Sequence, residues 1–439
     1  MKSLKTNIYF KIGAIIIIGL LLLIPTSMIK SLIHERENTQ QRAIYEVSSK
    51  WGEEQTLTGP FITIPYDRYI KRFSKKDSVE KIIKVKDYIH FLPSELIVNG
   101  EIQPELRYRG IYEIVVYNSV LNISGTFNKL TFTDFDIPLK NIQFDKATLS
   151  LGISDLRGIE KQVSLNWNNE LFSFNPGTIT NNLIESGINT NITINNSDSS
   201  SYQFLLNLDL KGSQKLYFVP VGEVSDVTIN SEWNNPSFNG AFLPDSRTVE
   251  ASGFNANWNI LHLNRNFPQK WAGSINNINE SAFGIDLLLP VDSYQKSMRS
   301  VKYALLFIAF TFIVFFFVEV LKKVFIHPVQ YILVGIALVV FYTLLLSISE
   351  HLSFNFAFII SAFLTLLLII GYVKAILKSN QLTLLIGGIL TILYAFIFVI
   401  IQLQDYALLI GSIGLFIILG LVMYFSRKID WYNLNLDEK

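Results

Sequence analysis

The chain has 439 residues, half of them hydrophobic and only 17% charged, with a formal net charge of +1 and no cysteine. A balance so near neutrality, without a basic block of useful length, excludes nucleic acid as an expected partner. The lack of cysteine excludes disulfides, thiolate zinc sites and cysteine nucleophiles.

The apolar excess is confined to one run near the N-terminus and a nearly unbroken block from Lys302 to Phe425. Crossing a bilayer takes about 20 apolar residues in a helix. Ile12–Ile29 meets that need, behind Lys2, Lys5 and Lys11. The stretch Pro25-Thr26-Ser27-Met28-Ile29-Lys30 lacks a small-x-small cleavage pattern, so the run reads as an uncleaved signal anchor. Ser31–Trp51 is polar, yet Ile44, Val47 and Trp51 fall on one face at helical spacing, which predicts a juxtamembrane helix.

Beyond Gly59-Pro60 the pattern changes to period two, in Phe61–Ile64, Ile111–Val116, Val120–Ile123, Phe204–Leu210, Leu216–Val219 and Val227–Ile229. Asn99-Gly100, Arg109-Gly110, Asn175-Pro176-Gly177, Lys211-Gly212 and Asn239-Gly240 punctuate these runs as turn signals. Short alternating runs between such signals predict an antiparallel β-domain. The Asn/Ser-rich stretch Thr190–Ser201 reads as a loop. Ile111–Phe127 is similar to Leu216–Trp233, which reads either as an internal repeat of two β-halves or as a chance recurrence of one pair of strands.

Further spans are expected at Tyr303–Leu321, Val329–Ile348, Phe354–Val373, Leu382–Ile401 and Tyr406–Phe425. With the N-terminus in the cytoplasm, Lys322/Lys323, Lys374/Lys378 and Arg427/Lys428 all fall inside. The outer turns Ser349–Ser353 and Gln402–Asp405 carry no Lys or Arg, as the positive-inside rule requires. The expected fold is therefore an integral membrane α-helical protein of six transmembrane helices, with a large β-rich periplasmic domain inserted between helices 1 and 2. Its expected divisions are 1–30 (N-terminus and signal anchor), 31–300 (periplasmic domain), 301–426 (five-helix bundle) and 427–439 (cytoplasmic tail). The lipid bilayer is the one certain partner of such a chain.

Several residues are candidates for function. Ionisable groups near a bilayer are costly unless paired or wetted, which singles out Glu319. It can pair with Lys323 one turn on, or with His327 at the same boundary. His327-Pro328 has the form of a helix start. Glu350 and His351 in one outer turn and Asp405 in the other form a candidate polar cluster for a proton, a metal or a lipid headgroup. Arg107 and Arg109, two apart on a strand, share a face. With Arg265 they form a candidate anion-binding surface, cross-strand salt bridges being the plainer reading. No Walker A loop, dinucleotide fingerprint, HExxH or GxSxG elbow is present, so no cofactor or catalytic site is assigned.

More specific are the motifs Trp51-Gly52, Gly59-Pro60, Arg107-Tyr108-Arg109-Gly110-Ile111-Tyr112, Pro236-Ser237-Phe238-Asn239-Gly240 and Gly253-Phe254-Asn255-Ala256-Asn257-Trp258. They continue with Asn264-Arg265-Asn266-Phe267, Pro290-Val291-Asp292, His327-Pro328-Val329-Gln330-Tyr331 and Arg427-Lys428-Ile429-Asp430-Trp431-Tyr432. In this order the chain resembles the CreD family of bacterial inner-membrane proteins. The resemblance implies a role in cell-envelope integrity and no established reaction. The expectation is a non-enzymatic scaffold or sensor, whose periplasmic domain meets lipid, peptidoglycan or another envelope protein. The alternatives are a lipid-handling transporter and a membrane enzyme acting on lipid or cell wall at the periplasmic interface.

Overall fold

A computed structural model describes residues 8–74, 79–194, 201–274, 278–289, 293–403, 406–427 and 429. The chain divides into two compact units, Arg42–Pro290 and the pair Met1–Gln41 with Val291–Lys439.

Helix α1 (Ile8–Leu21) and helix α2 (Leu23–Trp51) are separated only at Leu22, whose N–H still bonds the Ile18 carbonyl at 3.0 Å. The polar end of α2 is supported by pairs at helical spacing such as Lys50 on Glu46, 3.2 Å. Gly52 ends it with φ +153°, where a Cβ would press on the Lys211 carbonyl oxygen at 2.8 Å. Only glycine suits that position.

In the β unit the described strands form two sheets. The first runs β13 (Pro236–Gly240), β17 (Phe283–Leu287), β11 (Lys215–Val219), β1 (Gln55–Ser74), β5 (Thr148–Ile153), β9 (Gly187–Asn191), β8 (Asn175–Pro176). Strand β2 (Val79–Phe91) pairs with the second half of β1 and with β16 (Lys270–Ala272). The second sheet runs β14 (Ser246–Glu250), β15 (Gly253–Leu261), β12 (Val224–Ser231), β3 (Glu95–Arg109), β4 (Tyr112–Phe127), β10 (Tyr202–Ser213), β6 (Ser164–Trp167), β7 (Glu170–Ser173). Alternation along β10 buries Phe204, Leu206, Leu208 and Leu210 and leaves Leu205 exposed. One continuous core joins Phe61, Ile62 and Leu149 of the first sheet to Val98, Leu121 and Trp258 of the second, so the sheets pack on each other.

Three expectations change here. The sheets are mixed rather than antiparallel, because β1 pairs with β11 and β3 with β12 in parallel. Parallel neighbours need a long return of chain, which local alternation cannot report. Asn99-Gly100 and Lys211-Gly212 lie within β3 and β10 rather than at turns. Their glycines make room instead: a Cβ on Gly100 would run into Ile229 and Leu121, and one on Gly212 into the Tyr117 hydroxyl. The two similar segments are not equivalent units. Ile111–Phe127 is mainly the single strand β4, whereas Leu216–Trp233 is split between β11 in one sheet and β12 in the other. Of the expected loop Thr190–Ser201, residues 195–200 lie outside the described residues.

The other unit adds α3 (Ser293–Lys302), α4 (Ala304–Lys322), α5 (Pro328–Ser349), α6 (Phe354–Leu377), α7 (Asn380–Gln402) and α8 (Ala407–Ser426). Among the described residues, six helical runs are long and apolar enough to cross a membrane: Phe10–Trp51 and α4 to α8. The β unit therefore falls between the first such helix and the second. The short helix α3 was not anticipated, since its sequence is polar. It buries Tyr294, Ser297, Ser300 and Val301 on one face. In the bundle, Phe307, Phe341 and Phe358 surround Tyr394, with ring centroids at 4.5, 4.9 and 6.4 Å. Gly335 on α5 admits Leu22, which a Cβ there would strike.

Candidate functional site

Glu350 is the C-cap of α5, and its carboxylate is mostly buried at 12% exposure. Tyr294 of α3 donates its hydroxyl to Glu350 Oε1 at 3.2 Å, and Arg36 Nε of α2 lies 3.7 Å from the same oxygen. One carboxylate thus holds three helices together. Beside it, Lys296 of α3 donates to Gln402 Oε1 at the end of α7, 3.3 Å, with its ammonium 5.6 Å from the centre of the Phe354 ring. His351 is exposed in the turn after α5, where its backbone N–H bonds the Ile348 carbonyl at 3.1 Å. Asp405 lies outside the described residues.

Glu319 does not pair with Lys323 or His327. Lys323 has φ +52° and ends α4, so its side chain leaves the helical face that spacing alone assigns to it. His327 is the N-cap of α5: its Nδ1 accepts from the Val329 N–H at 3.3 Å, and its own N–H donates to Gln330 Oε1 at 2.9 Å. Glu319 is instead fully buried and bonded to Lys11 of α1. The Ile326 N–H donates to it at 3.1 Å and the Tyr331 hydroxyl at 3.0 Å. Lys11 also lies 4.3 Å from the centre of the Phe325 ring. A carboxylate this buried persists because both of its oxygens meet donors, one of them a cation.

The three arginines do not form one surface. Arg107 pairs with Glu105 at 3.0 Å, and its guanidinium stands 4.7 Å from the centre of the Trp51 ring. Lys211 is also stacked on that ring, at 4.5 Å. Arg109 pairs with Glu46 at 3.0 Å. Arg265 belongs to the opposite end of β3, tied through Gln269 to the Pro93 carbonyl. At about 3.3 Å per residue, some 14 residues of extended chain put roughly 45 Å between them. Arg265 is buried and spends its protons on the carbonyls of Phe267 (2.8 Å), Val221 (3.0 Å) and Gly222 (3.2 Å). Burial draws its pKa down to about 10.

Sequence reasoning missed other buried groups. His90 on β2 is fully enclosed, with Nδ1 3.0 Å from the Thr63 hydroxyl and its ring 5.4 Å from that of Trp271. Burial pulls its imidazole pKa down to about 4. A cavity of about 730 Å³ in the same unit is lined by hydroxyl and amide side chains, among them Thr56, Thr58, Ser154, Asn182 and Asn279, together with Glu185 and apolar residues such as Ile153 and Ile184. Among the described residues, no three His, Asp or Glu side chains gather closely enough to hold a metal ion.

Residues 7–432 match the family model described as inner membrane protein CreD. The chain is 33% identical to the inner membrane protein CreD of Escherichia coli (strain K12) over 438 residues, covering 99% of this chain and 96% of that one. Among solved structures, an M1 zinc metallopeptidase from Deinococcus radiodurans matches over 38% of each chain at 7% identity, with a TM-score of 0.19. A mutant of that enzyme with a Tyr-Ser-Ala substrate matches at 8% identity over 38% of this chain and 39% of its own, again with a TM-score of 0.19. Similarity that slight carries neither a fold nor an activity across. Matched from residue 7 to residue 432, and related at 33% identity to a curated member along nearly its whole length, the chain belongs to the CreD family of inner-membrane proteins.

Proposed function

We propose that this chain is a non-enzymatic sensor or scaffold that supports cell-envelope integrity. In this reading both termini are cytoplasmic and the β unit is periplasmic. The positive charges at Lys322/Lys323, Lys374/Lys378 and Arg427 support that orientation, since they gather at the helix ends opposite Glu350.

The observation that carries the reading is the Glu350 node. Arg36 belongs to α2, the helix that leads the chain into the β unit, and Tyr294 to α3, the first helix after it. Both hold the same carboxylate at the end of α5. A load or ligand acting on the β unit reaches the bundle through these two chain segments, and Glu350 is where they are fastened. The hydroxyl and amide groups that line the 730 Å³ cavity, with the carboxylate of Glu185, suit a polyhydroxylated group such as a glycan. A membrane enzyme built on Glu350, His351 and Asp405 needs a free, convergent carboxylate and imidazole. Glu350 is already held by Arg36 and Tyr294, and His351 is exposed.

The test is complementation of a deletion strain, scoring detergent and β-lactam sensitivity at matched membrane levels. Glu350→Gln and Tyr294→Phe are expected to weaken rescue, while His351→Ala and Asp405→Asn rescue fully. Full rescue by Glu350→Gln would remove the node from the mechanism. Loss of rescue by His351→Ala or Asp405→Asn would favour chemistry or obligatory ligand binding at the outer turns.

A further inference from the structure

Helix α8 packs loosely on its unit, with Gly414 its one buried residue among those described. Gly414 meets the Phe396 ring of α7 so closely that a Cβ would collide with it. Ile429, just past α8, is buried against Val320 of α4. Between these contacts lies a cavity of about 430 Å³ walled by α4, α7 and α8. Phe317 and Leu321 of α4, Leu385 and Ile389 of α7, and Ile418 and Val422 of α8 are among its apolar walls. The volume falls within the roughly 300–1,000 Å³ common to small-molecule sites.

Its polar residue is Lys322, exposed at the end of α4. Among the described residues no carboxylate pairs with Lys322 or with the adjacent Lys323. Arg427, just past α8, adds a third cation, its guanidinium 4.1 Å from the centre of the Tyr424 ring. A greasy cleft in the wall of a membrane unit, with exposed cations at one end, matches a molecule of one anionic head and long hydrocarbon tails. We propose that this cleft is a binding site for an anionic glycerophospholipid, with an acyl chain between α4, α7 and α8 and the phosphate at Lys322 and Lys323. Basic pockets between membrane helices select such headgroups by charge, while the hydrocarbon walls set the seat of the chain. The inference stands independently of the sensor reading and holds in whichever leaflet that end of α4 lies.

The test is native mass spectrometry of the full-length protein in detergent micelles, titrated with phosphatidylglycerol or with phosphatidylethanolamine of the same chains. Phosphatidylglycerol adducts are expected to survive preferentially, and Lys322→Gln with Lys323→Gln to reduce them about tenfold. Leu385→Trp, which fills the cleft, is expected to reduce adducts of both lipids, with melting temperature in the same micelles reporting that the variant is folded. Equal retention of the two lipids, unchanged by the lysine substitutions, would overturn the proposal. So would a dimer peak in place of adducts that Leu385→Trp abolishes, which would assign the cleft to a second copy of the chain.

Discussion

Lys11 and Glu319 form a buried ion pair across 308 residues of sequence, joining the first membrane helix to α4. The lysine is 9% exposed and the carboxylate 1%, so neither charge can be left alone by its partner without a large desolvation penalty. Lys11→Met or Glu319→Gln alone is expected to lower stability by about 3–5 kcal/mol. Glu319→Gln paired with Lys11→Met should recover much of that loss, because the amide oxygen can accept from the Ile326 N–H while the amide NH2 donates to the Tyr331 hydroxyl oxygen. A double-mutant cycle on melting temperature in detergent measures the coupling, and additive losses would show that the two residues act separately.

Acid should weaken the β unit through His90. Its folded pKa of about 4 lies below the ordinary 6.5, so between those values the unfolded chain binds the proton that the folded chain refuses. Stability is therefore fully present above about pH 6.5 and falls as pH drops towards 4, by about 2 kcal/mol between pH 7 and pH 5. Unfolding of the full chain at the two pH values checks this. In His90→Phe the part of the slope due to this group should disappear, and an unchanged slope would locate the titration elsewhere.

Gly212→Ala is expected to cost about 1–3 kcal/mol, as overpacking of a close-fitting core does. The new Cβ meets Tyr117, which cannot yield freely because its buried hydroxyl donates to the Lys215 carbonyl at 2.7 Å. Gly388→Ala on α7, with nothing within 4 Å of the added carbon, serves as the neutral control. Melting temperatures of the two variants should separate clearly.

The orientation can be read directly, since the natural chain has no cysteine to remove. Leu171→Cys, at a position 78% exposed on the β unit, should react with a membrane-impermeant maleimide in cells whose outer membrane is permeabilised. Lys378→Cys at the end of α6 should react only after lysis. The reverse pattern would invert the proposed topology.

The membrane helices were legible because hydropathy acts over a whole turn-by-turn window, so α5 to α8 begin and end within a few residues of expectation. The strands were legible for the same reason at period two. What escaped is what depends on distant chain. Nothing near Glu319 in sequence points to Lys11, and nothing near Glu350 points to Arg36 or Tyr294. The polar α3 hid in plain composition, because a helix lying against other helix ends needs only a few buried side chains. Gly100 and Gly212 were misread as turns, since a glycine required by a neighbour's bulk looks the same in sequence as one required by backbone curvature. Arg265 looked like a free cation and is committed to carbonyls of its own unit.

The segments entering and leaving the β unit are fastened at Glu350, and in the proposed function this fastening matters in the envelope. The most direct measurement reverses the charges in the complemented deletion strain, as Arg36→Glu, Glu350→Arg and both together at matched membrane levels. Each single reversal is expected to lose resistance to detergent and β-lactam, and the double reversal to recover most of it. A double variant no better than either single one, or single variants that rescue fully, would contradict the proposed role of this fastening.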